Sequence, residues 1–500
     1  MYRLVLYYLT ALIIIAGIFG AFGILPYSPI ALAFSTAVLV AVSFITNELF
    51  ARMFKAQPNV ESVYITAFIL ALIIAPITPG NLVGTAFLIW AGVWAMASKY
   101  ILAANKKHAF NPAAFAVALT ALTIGQSATW WVGGNLPLMA FVIVGGLLVT
   151  RKIRRFDLVI SFFAAAAVSI IVTSTSGNPM TSLSAAVLHA PLFFFAFVML
   201  TEPLTTPPTR AGRVTYGILV GLMFAPTVHI GPAYSTPELA LLLGNIFAYV
   251  ISPKSKYVMK LKEKQGVGGG IYYLVFTSDS PLKFRPGQYM EWTLAHQKSD
   301  SRGNRRYFTI ASSPTERDLR LGIRFTENGS SFKKRMLAMQ HGDEIVGGQL
   351  AGDFTLPRNA KKKLAFIAGG IGITPFRSMI KAASDRDEKR DIILLYSSRT
   401  ADDIAYRDIF DEATQKIGLR TIYAITDSTS PLQISNNQYP TTSLHSGRID
   451  ENLIRREIPD YRERTFYVSG TQSLVDGMTT LLHNLAVPRA QIKTDFFPGF

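Results

Sequence analysis

Residues 364–375 read Leu-Ala-Phe-Ile-Ala-Gly-Gly-Ile-Gly-Ile-Thr-Pro, and this stretch decides the fold of the second half of the chain. The apolar run predicts a buried strand, and the residues that follow Pro375 favour a helix. Gly369, Gly370 and Gly372 allow a tight turn and a close approach of the backbone to a dinucleotide pyrophosphate. Because the glycines stand at a strand-to-helix junction, the pattern is far more specific than glycines alone.

The pattern around this turn divides the second half into two domains. After Pro357, apolar runs alternate with helical stretches, which predicts a parallel, Rossmann-like α/β domain over residues 361–500. The predicted strands are Leu364–Ala368, Ile392–Tyr396, Arg420–Ala424 and Thr465–Val468, and the predicted helices include Arg377–Ala383 and Gln472–Leu485. Upstream, short alternating strands separated by Gly and Pro predict a small antiparallel β-barrel over residues 257–357.

The composition of the whole chain narrows the class of protein. Half of the 500 residues are apolar, 16% are charged and the mean hydropathy is +0.30. This balance excludes a disordered or nucleic-acid-wrapping protein and indicates a membrane protein. The net charge of +17 is shared by both halves, and we expect no nucleic-acid partner. The chain has no cysteine, which excludes disulfides and thiolate-bound iron–sulfur clusters.

The first half is a succession of apolar segments, which predicts a polytopic α-helical membrane domain of about ten spans over residues 1–252. The segments are 4–24, 29–49, 62–77, 82–102, 109–124, 137–150, 158–173, 183–200, 214–230 and 237–251. A span needs about 20 mostly apolar residues, so the third, fifth and sixth segments are candidates for tilted or broken spans.

Basic residues follow every second segment and are absent from the loops between. They are Arg52, Lys55, Lys106, Lys107, Arg151, Lys152, Arg154, Arg155, Arg210, Arg213, Lys254 and Lys256. By the positive-inside rule, both ends of the domain face the cytoplasm. We therefore expect an integral protein of a bacterial-type cell membrane, in contact with lipid, whose second half is cytoplasmic.

Two polar stretches, 107–115 and 201–209, stand near the predicted inner ends of spans five and eight. Polar groups at membrane depth are costly and often mark a site, which makes Asn111 and Glu202 candidates. The alternative is that both stretches are helix caps and turns, with Pro112 in a first turn.

The first half resembles the B subunit of sodium-pumping NADH:quinone reductase and the D subunit of the Rnf complex. The likeness is carried by Ser98-Lys-Tyr100, by His108-Ala-Phe-Asn-Pro-Ala-Ala-Phe115 and by residues 195–207, and it extends over most of residues 1–252. It implies flavins held in the membrane, so Asn111 and Glu202 become candidates for binding FMN or riboflavin. Glu202 stands where the family more often has Asp.

One feature of that family is absent from the corresponding loop. Family members often carry FMN esterified to a Thr within a Ser-Gly-Ala-Thr type motif, whereas residues 173–182 read Thr-Ser-Thr-Ser-Gly-Asn-Pro-Met-Thr-Ser. Ser176-Gly177 is reminiscent of the motif and Thr181 is a conceivable acceptor. A polar turn rich in Gly, Asn and Pro is the alternative, and we favour it.

The predicted barrel carries two candidate flavin-binding motifs. In Arg306-Tyr307-Phe308-Thr309 a guanidinium fork suited to a flavin phosphate precedes a hydroxyl by three residues, although a strand edge explains the motif equally well. Gly329-Ser330-Ser331 opens a predicted helix, whose N–H groups would seat a pyrophosphate. The alternative is an ordinary serine N-cap.

The α/β domain carries a further motif at its late strand and one at its end. Ser469-Gly470 ends a strand at the same sheet edge as the glycine turn, and Phe496 in the terminal Asp495-Phe-Phe-Pro-Gly-Phe500 would cover an apolar cofactor ring. The alternative for Phe496 and Phe497 is plain core.

In this order and spacing, the motifs of residues 257–500 resemble the ferredoxin–NADP reductase superfamily. The resemblance implies FAD on the barrel, bound by Arg306, Tyr307, Phe308 and Thr309, with Gly329, Ser330 and Ser331 on its phosphates. It implies NAD(P)H on the α/β domain, facing Gly369, Gly370, Gly372, Thr374 and Pro375. Ser469 replaces the usual Cys before Gly470, and Thr309, Ser469 and Phe496 would line the reacting rings. Arg399 would hold a 2′-phosphate of NADPH or be a solvated loop residue.

The sequence therefore favours a membrane-bound, flavin-dependent NAD(P)H oxidoreductase. Electrons would pass through FAD into or across the membrane to a flavin, a quinone or an extracytoplasmic flavoprotein. Only His108, His189 and His229 lie in the membrane half, so a stacked pair of bis-histidine haems cannot be built. The alternatives are a membrane-anchored reductase with a cytoplasmic-face acceptor and a haem-dependent ferric reductase, which we disfavour.

Overall fold

The computed structural model describes residues 2–54, 60–104, 107–174, 178–231, 233–251, 256–296, 300, 304–327, 329–427 and 442–496. The chain forms two compact units, Met1–Ser255 and Lys256–Phe500. Each unit has its own hydrophobic core, and the two are described in turn.

The first unit is helical. Its helices are α1 Tyr2–Ala21, α2 Pro29–Met53, α3 Val60–Ile73, α4 Leu82–Ile101, α5 Pro112–Ile124, α6 Leu136–Ile153, α7 Phe156–Val172, α8 Pro179–His189, α9 Leu192–Phe194, α10 Arg210–Phe224 and α11 Pro237–Ile251. A π-helical turn, Phe195–Met199, continues α9. Two short hairpins, β1 Ala103–Ala104 with β2 Lys107–His108 and β3 His229–Ile230 with β4 Ala233–Tyr234, precede α5 and α11.

All ten predicted segments contain helix, but ten spans are not confirmed. Within the described residues, four helices (α1, α2, α4 and α6) are long and apolar enough to cross a membrane. The pair Pro179–His189 and Leu192–Met199, bent by 69°, makes a fifth if it counts as one span. Helices α3 and α5 have 14 and 13 residues. They are therefore about 20 Å long, short of a bilayer core of about 30 Å.

Local sequence explains these lengths. Pro76 and Pro79 follow α3, and α5 ends at Gly125, which adopts a left-handed conformation with φ of 66°. The sixth segment, expected to be short, is an 18-residue helix, whereas the eighth is broken where Pro191 follows α8.

The order of elements in the first unit repeats once. Helices α1–α5, with one hairpin before the last helix, are followed by α6–α11 with a hairpin in the corresponding place. The packing repeats as well: α2 contacts α4 and α4 contacts α5, as α7 contacts α10 and α10 contacts α11. The last helices of the two sets, α5 and α11, contact each other.

The second unit begins with a six-stranded antiparallel sheet in the order β8-β7-β10-β5-β6-β9. Its elements are β5 Lys256–Gly268, β6 Ile271–Ser278, β7 Tyr289–Thr293, β8 Arg305–Thr309, β9 Leu319–Arg324, α12 Ser331–Leu337 and β10 Glu344–Ala351. A closed barrel is not confirmed. In the described part, the residues that follow β8 meet β9 through one backbone bond, from the Ala311 N–H to the Arg320 carbonyl (2.8 Å).

A parallel six-stranded sheet in the order β14-β13-β12-β11-β15-β16 completes the unit. Its strands are β11 Leu364–Gly369, β12 Ile392–Ser398, β13 Arg420–Ile425, β14 Thr442–Ser446, β15 Thr465–Gly470 and β16 Ile492–Phe496, and its helices are α13 Thr374–Asp385, α14 Arg407–Ile417, α15 Glu451–Glu457 and α16 Gln472–Asn484. Separate apolar clusters cover its two faces, as expected for a doubly wound α/β sheet. The strand order reverses between β11 and β15, and in such sheets ligands bind at this switch point.

Candidate functional site

The predicted flavin motif lies on β8, an edge strand of the antiparallel sheet. Residues 306–309 pair with β7, where Arg306 faces Trp292 and Thr309 faces Tyr289. Thr309 is 3% exposed, and its hydroxyl has no hydrogen-bond partner among the described residues. A buried hydroxyl without a partner is costly, so this atom is suited to a ligand contact.

Arg306 and the start of α12 converge on one carboxylate. An Nη of Arg306 donates to Oδ1 of Asp300 (3.4 Å), and the Ser331 N–H donates to Oδ2 (3.0 Å). The Arg306 guanidinium also lies 5.3 Å from the centre of the Phe332 ring. A carboxylate of the chain itself thus lies between Arg306 and the start of α12.

The neighbouring serine is a helix cap. Ser330 is 2% exposed, and its Oγ accepts from the Lys333 N–H (3.3 Å). The Gly329 N–H donates to the Thr326 carbonyl (2.9 Å). The Ser330 side chain is therefore engaged within the protein.

The glycine turn sits at the switch point of the parallel sheet. Gly370 has φ of +51°, and residues Gly370–Ile373 form a 3-10 turn between β11 and α13. A Cβ on Gly372 would lie 2.6 Å from both the Gly470 Cα and the Ser469 carbonyl oxygen. The turn after β11 thus packs directly on the end of β15, which requires glycine at position 372.

Ser469 and Thr374 flank this turn. Ser469 is fully buried, pairs in register with Ala368, and its hydroxyl has no partner among the described residues. Thr374 donates from its hydroxyl to the Ile371 carbonyl (3.2 Å), and Pro375 lies in the first turn of α13. The Ser469 hydroxyl is therefore the better placed of the two to contact a ligand.

Two arginines share one carboxylate at the same sheet edge. The Arg399 Nε lies 3.3 Å from an Asp403 oxygen and its side chain is 70% exposed, while Arg324 pairs with the same oxygen at 2.7 Å. Sequence reasoning singled out Arg399 but missed Arg324, which stands on β9 and reaches the turn at Gly370. The alternation of buried and half-buried residues along β9 gave no sign of this contact.

The terminal aromatic residues are only partly described. Phe496 is the last residue of β16, and its backbone pairs with Gly470 at the end of β15. The Phe496 side chain and the whole of Phe497 lie outside the described residues. The expectation that Phe496 covers a cofactor ring stays a prediction.

A tyrosine pair connects the antiparallel sheet to the start of α14. Tyr273 on β6 stacks on Tyr406, with ring centres 4.2 Å apart, and its hydroxyl accepts the Tyr406 N–H (2.7 Å). Burial raises the pKa of Tyr273 to about 12. Burial also raises the pKa of Tyr406, whose backbone has a φ of +61°. The phenols are therefore neutral at physiological pH and serve packing.

In the first unit, the structure brings the two predicted polar residues into contact. The Asn111 amide donates to Glu202 (2.9 Å), and Asn111 also caps α5 by accepting the Ala114 N–H (3.1 Å). Both residues line a cavity with about 750 Å³ of empty space, its open mouth included. The other residues around it are mostly apolar and include Val5, Ile65, Ile69 and Val198.

Sequence reasoning missed the groups that support this pair. Glu202 also contacts the His108 Nε2 (3.3 Å) and accepts from the Thr205 hydroxyl (3.1 Å). The Asn111 N–H donates to Asn245, whose amide donates to the Tyr216 hydroxyl (2.9 Å). Asn245 interrupts the apolar segment 237–251, which is a signal that the sequence offered.

Ser176 and Gly177 lie outside the described residues. Thr181 stands in the first turn of α8, where its carbonyl accepts the Ser184 hydroxyl (2.9 Å). Covalent flavin attachment there stays a prediction.

Comparison with known proteins finds a family match within each half of the chain. Residues 132–258 match the model of the NQR2, RnfD, RnfE family, and residues 366–480 match the oxidoreductase NAD-binding domain. The flavohemoprotein of Bacillus subtilis is 24% identical over 242 residues, which is 48% of this chain and 58% of that protein. The flavohemoprotein of Candida albicans is 32% identical over 134 residues, covering 26% of this chain and 32% of the relative. The chain spans about half the length of the curated relatives that it matches.

Two solved structures are similar to part of the chain. The flavohem-like FAD/NAD-binding domain of a Vibrio cholerae nitric oxide dioxygenase is 18% identical and covers 48% of this chain and 98% of its own, with a TM-score of 0.42. A ferredoxin reductase of carbazole 1,9a-dioxygenase is 22% identical and covers 49% and 70%, with a TM-score of 0.41. The chain combines a segment that is similar to the NQR2, RnfD, RnfE family with a module that is similar to the oxidoreductase NAD-binding domain.

Proposed function

We propose that this protein takes electrons from NAD(P)H in the cytoplasm and delivers them through a flavin in its membrane unit to a quinone or an extracytoplasmic acceptor. One observation carries the proposal. Asn111 and Glu202, the two polar residues that stand out in the membrane sequence, are hydrogen-bonded to each other at one cavity. Such a mostly apolar cavity with a few convergent polar groups is the usual composition of a cofactor site.

The reductase unit would hold FAD and the nicotinamide at the two places described above. Arg306 and the Ser331 N–H would bind the FAD phosphates, and the Thr309 hydroxyl would contact the ring system. The turn at Gly372 and the Ser469 hydroxyl would position NAD(P)H at the switch point. When bound, FAD supplies the chemistry that accepts two electrons together and releases them singly.

The membrane cavity has hydrogen-bonding capacity suited to a flavin. A carboxylate has about four acceptor positions, and His108, Asn111 and Thr205 account for three of those on Glu202. Among the described residues, one N–H of the Asn111 amide is also left for a ligand. Neighbouring acceptor and donor groups match the alternating N–H and C=O groups on the edge of an isoalloxazine ring.

Charge distribution supports a cytoplasmic reductase. The basic loops follow every second apolar segment, and the last of them leads into the reductase unit. A bilayer core of about 30 Å separates that side from an external acceptor, so a carrier within the membrane unit is required.

Optical spectroscopy of the purified protein tests the proposal. We expect flavin bands with a flavin-to-protein ratio of two, falling to one in Asn111→Leu and in Glu202→Leu, with FAD retained. Asn81→Leu is the matched control, because Asn81 caps α4 as Asn111 caps α5 but does not line the cavity. A ratio of one in the wild-type protein would favour a cytoplasmic-face acceptor instead, and a Soret band would favour haem.

A further inference from the structure

We propose that one end of the reductase unit binds the anionic lipid surface of the membrane through a patch of exposed lysine and arginine side chains. The patch, which we call the basic end, consists of Lys283, Arg285, Arg358, Lys361 and Lys362. The proposed function gives these five residues no role. The inference takes from that function only the cytoplasmic position of the reductase unit, and it does not depend on which flavins are bound.

The topology of the antiparallel sheet brings these residues to one end of the unit. Strand β5 begins there, where it pairs with the last residues of β6 and with later residues of β10. Strand β7 begins there as well, because Tyr289 pairs with Ala351, the last residue of β10. The five cations lie in the two segments that leave from this end, residues 279–288 between β6 and β7 and residues 352–363 between β10 and β11.

The five cations lack counter-charges. All of them are exposed, and none forms an ion pair within the part of the chain that the structure describes. The adjacent Lys363, in contrast, pairs with Asp460 (3.0 Å). The two segments together hold six lysines and arginines but only two carboxylates, Asp279 and Asp353. The surface at this end is therefore positively charged.

Hydrogen bonds fix the segment that carries three of these cations. The buried Arg390 guanidinium donates to the carbonyls of Pro357 (3.1 Å) and Asn359 (3.4 Å). The Asn359 side chain in turn accepts the Lys361 N–H (3.0 Å). The backbone around the cations is thus held to the parallel sheet, so the charges are displayed on an ordered surface.

The position of the basic end in the chain favours lipid as its partner. Helix α11 ends at Ile251 and β5 begins at Lys256, so the chain between them spans at most about 18 Å. The basic end can therefore reach the membrane surface at the end of α11. Clusters of lysine and arginine next to a membrane helix are attracted by anionic headgroups. A soluble acidic protein would offer the same charge but has no such tether.

Binding through this end suits both cofactor sites. Thr309, whose hydroxyl is proposed to contact the FAD ring, pairs with Tyr289 and so lies at the basic end of the sheet. The turn at Gly372 follows the end of β11, whereas the basic end adjoins the start of that strand at Leu364. Lipid binding would therefore turn the ring contact toward the membrane and leave the NAD(P)H site open to the cytoplasm.

The test uses an environment-sensitive dye on a single introduced cysteine of the full-length protein, since the native chain has none. Ser280→Cys places the dye at the basic end, and Ser446→Cys places it at the end of β14, on the opposite edge of the parallel sheet. Both serines are exposed. In vesicles of phosphatidylcholine with one third phosphatidylglycerol, the emission of the dye at position 280 should shift to shorter wavelength. In phosphatidylcholine alone, and at position 446, we expect no shift.

Salt and charge reversal identify the cause of the shift. Raising the salt from 0.15 M to 1 M shortens the screening length from about 8 Å to about 3 Å and should abolish it. Lys361→Glu combined with Lys362→Glu should abolish it at 0.15 M as well. Arg448→Glu is the matched control, because it reverses an exposed charge just beyond β14 and should leave the shift intact.

Three results would overturn the proposal: no shift at position 280, an equal shift at position 446, or a shift that survives the reversal of Lys361 and Lys362. If that double variant does not fold, Lys283→Glu combined with Arg285→Glu decides in the same way. A shift caused by soluble polyglutamate but not by phosphatidylglycerol would assign the surface to an acidic protein instead. The flavin-to-protein ratio tests the proposed function separately, so the two can fail independently.

Discussion

At the scale of single residues, two buried hydroxyls lie in the motifs proposed to bind FAD and NAD(P)H. Thr309 and Ser469 lack partners among the described residues although nearly all buried polar groups in folded proteins have one. Each leaves an acceptor and a donor unsatisfied, at a cost of about 1–3 kcal/mol. Both lie where FAD and NAD(P)H are proposed to bind, so ligand binding should recover part of that cost.

Arg306 should dominate retention of FAD. Arg306→Ala removes a charge-assisted hydrogen bond to phosphate, typically worth about 1.5–3 kcal/mol, so FAD affinity should fall roughly 10- to 150-fold. Arg305→Ala is the control, because Arg305 is the neighbouring residue and its guanidinium contacts Glu291 instead (3.6 Å). Flavin content after purification measures both variants, and full FAD occupancy in Arg306→Ala would refute the assignment.

Ionisation of Tyr273 should lower the free energy of unfolding of the reductase unit at alkaline pH. Its pKa in the folded state is about 12, above the ordinary value of about 10. Because the pKa is higher in the folded state than in the unfolded state, the neutral phenol stabilises the fold fully below pH 10. This stabilisation is lost as the pH rises through 12.

Tyr273→Phe tests this coupling. It leaves the Tyr406 N–H without its acceptor, which should lower the free energy of unfolding by about 1–3 kcal/mol at pH 7. Urea unfolding of the reductase unit between pH 7 and 12 should also show a shallower alkaline loss in the variant. An equally steep loss would mean that other groups cause it.

At the scale of elements, the sequence predicted regular patterns well and missed irregular ones. The strand-turn-helix around Gly370 and the cap of α5 at Asn111 are visible because glycine, proline and apolar runs mark them directly. The sequence predicts barrel strands at Tyr257–Leu261, Ile271–Phe276, Gln288–Leu294, Tyr307–Ala311 and Leu319–Phe325. It does not predict β10, because that strand contains Gly347 and Gly348, and a Cβ at position 347 would lie 2.2 Å from the Met259 side chain. Such packing between distant strands leaves no local pattern.

The count of ten spans is not confirmed for a related reason. Hydropathy registers apolar residues but not where a helix stops, so the third segment, expected to be tilted or broken, and the eighth segment were both counted as spans. Likewise, the contact between Asn111 and Glu202 joins residues 91 positions apart, and only the repeated packing of helices brings them together. The sequence pattern could identify the two residues as candidates, but it could not predict that they contact each other.

The turn at Gly372 should not tolerate a side chain. In Gly372→Ala the new Cβ would meet backbone atoms of Ser469 and Gly470 at 2.6 Å. The forced shift should cost about 1–3 kcal/mol of stability and raise the KM for NADH or NADPH at least tenfold. The KM for each nucleotide is measured from the rate at which the enzyme reduces an artificial dye at varied NADH or NADPH concentrations.

Gly477→Ala in α16 is the matched control, since a Cβ there meets nothing within 4 Å and alanine favours helix. It should leave KM unchanged and stability equal or slightly higher. A Gly372→Ala enzyme that behaved like this control would show that the turn does not hold the nucleotide.

At the scale of the whole molecule, each of the two units has its own proposed role. Segments that are similar to two different families share a single polypeptide, so the proposed electron transfer between them would need no diffusing partner. The proposed activity depends on which side of the membrane each end of the first unit faces.

Cysteine labelling should report that orientation without interference, since the native chain has no cysteine. Met180, 65% exposed in the first turn of α8, is expected on the external side, and Lys152 at the end of α6 on the cytoplasmic side. An impermeant thiol reagent should label Met180→Cys in intact cells, and Lys152→Cys only after lysis. The reverse pattern would invert the proposed topology.

The most direct test of the central claim is electron transfer across a sealed membrane. In vesicles with the reductase unit outward, NADH or NADPH added outside should reduce ferricyanide trapped inside. Asn111→Leu should abolish that reduction while an external dye is still reduced, and Asn81→Leu should retain both activities. No reduction inside by the wild-type protein, or reduction that survives Asn111→Leu combined with Glu202→Leu, would contradict the account.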